Sequence, residues 1–151
     1  ARSKQEKMNF LGAGDEGWTP FHVGAGAGHL RICQLFLEYR TYLRRKAVNT
    51  AVFTFPNGEV YTGATPLHVA AFGGHADVTT ALLQSERFNP FVNLFLEGED
   101  GDKWSALHVA AIASLRGHAS VAKCLLRSEH FSDELLNAVA RFGCTALLCD
   151  R

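Results

Sequence analysis

Several scarcities bound what this chain can be. In 151 residues there is one methionine, and there are two tryptophans, three tyrosines and four prolines. Neither charge is in excess, because fifteen Lys and Arg balance fifteen Asp and Glu. No overall field therefore draws the chain to nucleic acid or anionic lipid, and neither is expected as a partner. Apolar runs fall short of the roughly eighteen residues a membrane span needs, so no transmembrane segment is expected. The N-terminal "ARSKQEKMNF" lacks the apolar centre of a signal peptide. Cysteines occur at 33, 124, 144 and 149 with no C-x-x-C pair. Cys33 and Cys124 sit inside apolar helical patterns, where a reduced thiol acts as a small hydrophobe. That usage predicts an intracellular, reducing compartment, whether cytoplasm or organelle interior.

Apolar residues make up 47 % of the chain and charged residues 20 %, the balance of one globular domain with a real core. Glycine is dense in "FHVGAGAGHL", at 24, 26 and 28, a density that can mark a phosphate-binding loop. A dinucleotide loop needs G-x-G-x-x-G after a strand, and the third position here is His29. "GAGDEG" (Gly12, Gly14, Gly17) fits the spacing, but no strand-like run precedes it. The stretch also recurs. "TPFHVGAGAGHLRICQLFL" from Thr19 aligns with "TPLHVAAFGGHADVTTALL" from Thr65, with "SALHVAAIASLRGHASVAKCLL" from Ser105, and with a truncated "TALLCDR" from Thr145. Gly24 and Gly26 thus stand where the second copy has Ala70 and Phe72. They read as positions of a weakened helix.

Each copy carries the chemistry of a helix pair. Thr19, Thr65 and Ser105 can cap a first helix through a side-chain oxygen, and Pro20 and Pro66 suit its first position. Gly28, Gly74 and Gly117 break the chain. A second helix follows, with Ile32, Leu35 and Phe36, then Val78, Leu82 and Leu83, then Val121, Leu125 and Leu126 on its apolar face.

The T-P-L-H-V-A of copy two, recurring with its partners, resembles the ankyrin repeat. Asn9, Asn49, Asn93 and Asn137 each look like the asparagine preceding the ankyrin turn. The resemblance spans residues 1–151, with repeats near 17–49, 63–93 and 103–137 and a partial one at 143–151. It implies an all-α solenoid of ankyrin type with β-hairpin loops. It also implies that His22, His68 and His108, and His29, His75 and His118, bond hydroxyls and backbone of adjoining turns. Because the chain starts at Ala1 and stops inside the fourth copy, a piece of a longer protein is expected.

The capping positions are spaced by 46 residues, then 40 and 40, longer than the family period near 33. "TAVFTFPNGEVYTGA" alternates β-formers around Pro56-Asn57-Gly58 and predicts a long two-stranded hairpin. "SERFNPFVNLFLEGEDGDK" is a second enlarged loop, and "ASLRG" (113–117) widens the third copy. The run Arg40, Arg44, Arg45 and Lys46, between Tyr39 and Tyr42, reads as a helix end that could dock an acidic protein surface.

No cofactor, metal or catalytic residue is expected. Neither H-E-x-x-H nor H-x-x-x-H occurs, and His130 stands alone. His29 and Cys33 share a helix face, with no third group or oxyanion donor to make a nucleophile. Glu97, Glu99, Asp100 and Asp102 lack the spacing of a calcium loop. The expected function is non-catalytic protein–protein binding through hairpin tips and the concave face of first helices. The alternatives are an accessory subunit docked permanently in a large multi-protein assembly, and a regulatory ankyrin segment of a larger enzyme. By the resemblance, partner contacts fall on Trp18 and Trp104, just before the capping residue, and on Phe72, Ile112, Leu115 and Arg116 near the inter-helix turn. The hairpin aromatics Phe53, Phe55 and Tyr61 come next. Trp18 and Trp104 could equally pack as core against a neighbouring hairpin.

Overall fold

The computed structural model describes residues 17–39, 48, 51–55, 58–99, 101–112 and 118–129. Three helix pairs follow one another: α1 (Pro20–Gly26) with α2 (Leu30–Tyr39), α3 (Pro66–Gly73) with α4 (Ala76–Gln84), and α5 (Ala106–Ile112) with α6 (Ala119–Arg127). Each first helix starts on its capping residue. Thr19 and Thr65 are extended and accept the His22 and His68 amides, while each histidine ring answers the cap's own N–H. Ser105 and His108 repeat the arrangement. These reciprocal bonds satisfy amides that a helix start leaves without partners.

The turns between paired helices use left-handed glycines, Gly28 (φ 77°) and Gly74 (φ 75°). Gly28 and Gly74 are required for a second reason. The His75 ring lies where a Cβ on Gly28 would be, 2.6 Å from its Nδ1, and His118 stands likewise against Gly74 at 2.7 Å. The same rings donate through Nε2 to the Gly26 and Phe72 carbonyls, both at 3.0 Å. Each pair thereby latches onto the pair before it, α1 beside α3 and α3 beside α5.

The long loops form strands β1 (Ala51–Thr54), β2 (Val60–Ala64), β3 (Leu96–Gly98) and β4 (Lys103–Trp104), with a single-turn 3₁₀ helix at Asn89–Phe91. The hairpin expected around Pro56-Asn57-Gly58 is the antiparallel β1–β2 pair, with Phe53 opposite Tyr61 and Thr54 opposite Val60. β3 and β4 make a second hairpin, and β2 pairs with β3 to give one antiparallel sheet in the order β1-β2-β3-β4. The expected all-α class is corrected accordingly. Its solenoid of helix pairs stands, but two hairpins have merged into a four-stranded sheet, because their added length lets them reach each other.

The core runs along the stack without interruption. Ala25, Ala70, Ala71 and Ala110 have no exposed surface, which lets first helices approach closely, and Val78, Leu82, Val121 and Leu125 seal the second helices. Phe21 stacks on Phe36 at 5.2 Å and meets Phe88 edge-on, tying the loop after α4 to the first pair. Arg87 in that loop donates to the Leu37 and Glu38 carbonyls at the end of α2.

Candidate functional site

The histidines come first, since they are the groups best suited to chemistry. His22 Nδ1 accepts from the Thr19 amide and lies 2.8 Å from its hydroxyl. With Nδ1 accepting, the proton belongs on Nε2, which sits 2.9 and 2.8 Å from the carbonyls of Val48 and Ala64. Burial pushes the His22 pKa down to about 4, against the opposing pull of the Ala64 and Val48 carbonyls. His68 is enclosed too and also falls to about 4 through desolvation, opposed by the carbonyls of Trp104 and Leu94. Its Nε2 makes no bond as close as those of His22. Both rings are neutral struts between a helix cap and the following hairpin. His22, His68 and His108 carry no exposed surface.

Cys33 is buried, and burial with the nearby Asp77 raises its thiol to about 11, away from nucleophile behaviour. Cys33 and Cys124 are free thiols. Among the described residues, no three His, Cys, Asp or Glu side chains gather closely enough to hold a metal. No described helix is long and apolar enough to cross a membrane. Asp100, His130 and the basic run at 40–46 lie outside the described residues.

Of the two readings of Trp18 and Trp104, partner contact or core, burial favours core, and the expectation of partner contact at the hairpin aromatics needs correcting. Trp18, Phe53, Phe55, Tyr61 and Trp104 are all buried, the most open of them, Trp104, at 8 % exposure. The structure brings most of them together. Phe55 meets Phe53, Tyr61, Phe72 and Trp104 with ring centroids 5.0–6.0 Å apart, and Phe53 meets Phe72 at 5.0 Å. Edge-to-face contacts of this kind add to area burial. Phe72 is half-buried under this cluster at the end of α3, and Ile112 is half-buried at the end of α5. Trp18 lies apart, donating its indole N–H to the Val52 carbonyl at 2.8 Å where β1 is irregular. Leu115 and Arg116 lie outside the described residues. The physical reason for the inward turn is the pleat: Phe53, Tyr61 and Trp104 share the face that closes on the helices. Gly98 makes room, since a Cβ there would strike the Tyr61 ring at 2.7 Å.

The opposite face is what the sheet offers outward. Val60 is 48 % exposed, and Thr62, Glu97 and Lys103 stand exposed beside it, with Thr62 opposite Glu97 and Glu97 opposite Lys103. Sequence reasoning passed over Val60, although alternation with the aromatic Tyr61 marks the two as facing apart. A shallow hollow of about 270 Å³ lies between the hairpin tips, lined by Glu59, Val60, Glu99 and Asp102 among others.

The stack of capped helix pairs, latched through paired glycines and histidines and carrying hairpins on one edge, defines a helical repeat solenoid. The family model for ankyrin repeats (3 copies) matches residues 3–90 and again 48–135. The chain belongs to the ankyrin repeat family, whose domains are generally protein–protein interaction modules and typically non-catalytic. No curated protein matches the sequence.

Proposed function

We propose that this chain is a non-catalytic module that binds a protein partner through the outer face and tips of its hairpin sheet, flanked by the concave ends of α3 and α5. The observation that supports it is the aromatic cluster. Phe53, Phe55, Tyr61 and Trp104 lock the sheet onto Phe72, so Val60, Thr62, Glu97 and Lys103 are held out at fixed spacing. A docking surface rigid before contact loses little ordering entropy when a partner arrives. An exposed apolar residue ringed by polar ones is also the composition of a small interface centre. The free thiols of Cys33 and Cys124 suit the reducing intracellular setting that we propose for it.

The test is purification from native material with identification of the co-eluting protein, then reconstitution with that protein and Val60→Asp. The expected result is lost co-elution with an unchanged melting profile. Retained binding by Val60→Asp would remove the sheet face from the reading.

A further inference from the structure

The seams between successive second helices are not alike. Counting from the latch histidines His29, His75 and His118, the positions of α2, α4 and α6 correspond one to one. Where α2 meets α4, the α2 side carries Leu30, Gln34 and Leu37, and both leucines pack against the core. Arg87 closes the end of that seam by holding the Leu37 and Glu38 carbonyls. Where α4 meets α6, Ala76 and Thr80 take the places of Leu30 and Gln34. The shorter side chains leave a groove of about 710 Å³, within the roughly 300–1,000 Å³ of ligand-sized clefts. Described helices form both of its walls, α4 on one side and α6 on the other.

The floor of the groove is fixed before anything enters. The Thr80 hydroxyl lies 3.2 Å from the Cys124 sulfur, and the same thiol reaches the Ala76 carbonyl at 3.8 Å. Leu83 also lines the groove and is itself buried, which gives the floor an apolar part. On the other wall, Ser120, Lys123, Cys124 and Arg127 follow the i, i+3, i+4, i+7 spacing and form one stripe of α6.

Charge separates the two seams further. On the α2–α4 seam, these positions hold Asp77, Thr80 and Gln84 on α4, with Glu38 at the end of α2. On the α4–α6 seam they hold Ser120, Lys123 and Arg127, with Gln84 in the place of Glu38. Both acids are gone and two bases have appeared. Lys123 and Arg127 are exposed one turn apart, and among the described residues neither pairs with an acid. Glu129, on the rim past the end of α6, has an interaction of its own. A nucleic acid strand would need an aromatic side chain to stack its bases, and among the described residues none lines the groove. Two free cations above a small, partly apolar floor are instead complementary to carboxylates on an extended chain. We propose that the α4–α6 groove docks an acidic peptide segment of a partner protein. Its carboxylates meet Lys123 and Arg127, and a small apolar side chain lies over Thr80 and Cys124.

A phage-displayed library of random short peptides supplies the probe. It is selected on the 151-residue chain and counter-selected on Ala76→Leu, which fills the groove with the residue α2 carries there and leaves its charge alone. Surviving peptides are expected to be rich in Asp and Glu. In anisotropy titrations of one such peptide, Lys123→Glu and Arg127→Glu, both at exposed positions, each weaken binding about tenfold with unchanged circular dichroism. The bound peptide shields Cys124 from alkylation, read by mass spectrometry. Val60→Asp leaves the titration as it was, so the groove and the sheet face stand or fall separately. The proposal is overturned if no peptide survives counter-selection, the result a groove already filled by the chain itself would give. Survivors without acids, or a Cys124 alkylated as fast as before, overturn it too. So does a single-stranded oligonucleotide that displaces the peptide at equal concentration.

Discussion

The His75 imidazole fills the space where Gly28 would carry a Cβ, 2.6 Å from that position, while its Nε2 holds the Gly26 carbonyl at 3.0 Å. Two demands therefore fall on Gly28, a left-handed φ of 77° and an absent side chain. Gly58 provides the comparison, since its φ is 90° but nothing lies within 4 Å of its Cβ position. Gly28→Ala is expected to lose about 1–2 kcal/mol through its backbone alone, with a further loss from displacing the ring. Gly58→Ala is expected to lose only the backbone part. Urea titrations of both variants check this. In a cycle with His75→Ala, the Gly28→Ala penalty should shrink toward that of Gly58→Ala.

Acid should loosen the stack well before carboxylates protonate fully. His22 and His68 have folded pKa values near 4, below the ordinary 6.5. Between those values the unfolded chain binds protons that the folded chain excludes. The contribution is complete above pH 6.5 and is lost as pH falls toward 4. A displacement of this size corresponds to about 3 kcal/mol per histidine. The urea midpoint measured from pH 7.5 to 4.5 is expected to fall steadily below 6.5. A flat profile across that interval would show that the rings are protonated without penalty.

The two tryptophans should respond oppositely to a conservative change. Trp18 donates to Val52, whereas the buried Trp104 indole nitrogen has no acceptor among the described residues. Trp18→Phe strands a carbonyl and should lower stability by about 1 kcal/mol. Trp104→Phe keeps an aromatic ring and removes an unpaired donor, so its melting temperature should hold or rise. Trp104→Ala is a different matter. A partner-facing tip would leave melting unchanged, but a core position predicts a loss of about 3–5 kcal/mol. Thermal melts of the three variants separate these outcomes.

Arg87 donates to two carbonyls at the end of α2, Leu37 at 2.8 Å and Glu38 at 2.9 Å. Arg87→Ala is expected to speed amide exchange in the last turn of α2 and to leave α3 and α4 protected. Hydrogen exchange read by mass spectrometry resolves the two regions.

The helix pairs were legible in the sequence because their signals are local. A threonine, a proline and a histidine three residues after the cap carry a complete helix start, and Gly28 and Gly74 a complete stop. The β1–β2 hairpin was legible for the same reason, through Pro56-Asn57-Gly58. Its pairing with β3 was not, since Tyr61 against Gly98 joins segments distant in the chain. Alternation separates Val60 and Thr62 from Tyr61, yet it does not say which set faces the helices. The hairpin aromatics Phe53, Phe55 and Tyr61 were therefore read as contacts, Trp18 and Trp104 stood between contact and core, and Val60 was overlooked. Burial of Trp18 and Trp104 depends on neighbouring loops folding back, which no short-range pattern records.

Strands β2 and β3 belong to successive repeats but share one hydrogen-bonded ladder. Most repeat arrays yield to a pulling force one unit at a time, since only packed faces join neighbours. Here tension across the middle of the chain would load backbone bonds in shear as well. The second and third units should give way together in a single larger extension step, after the first has already let go.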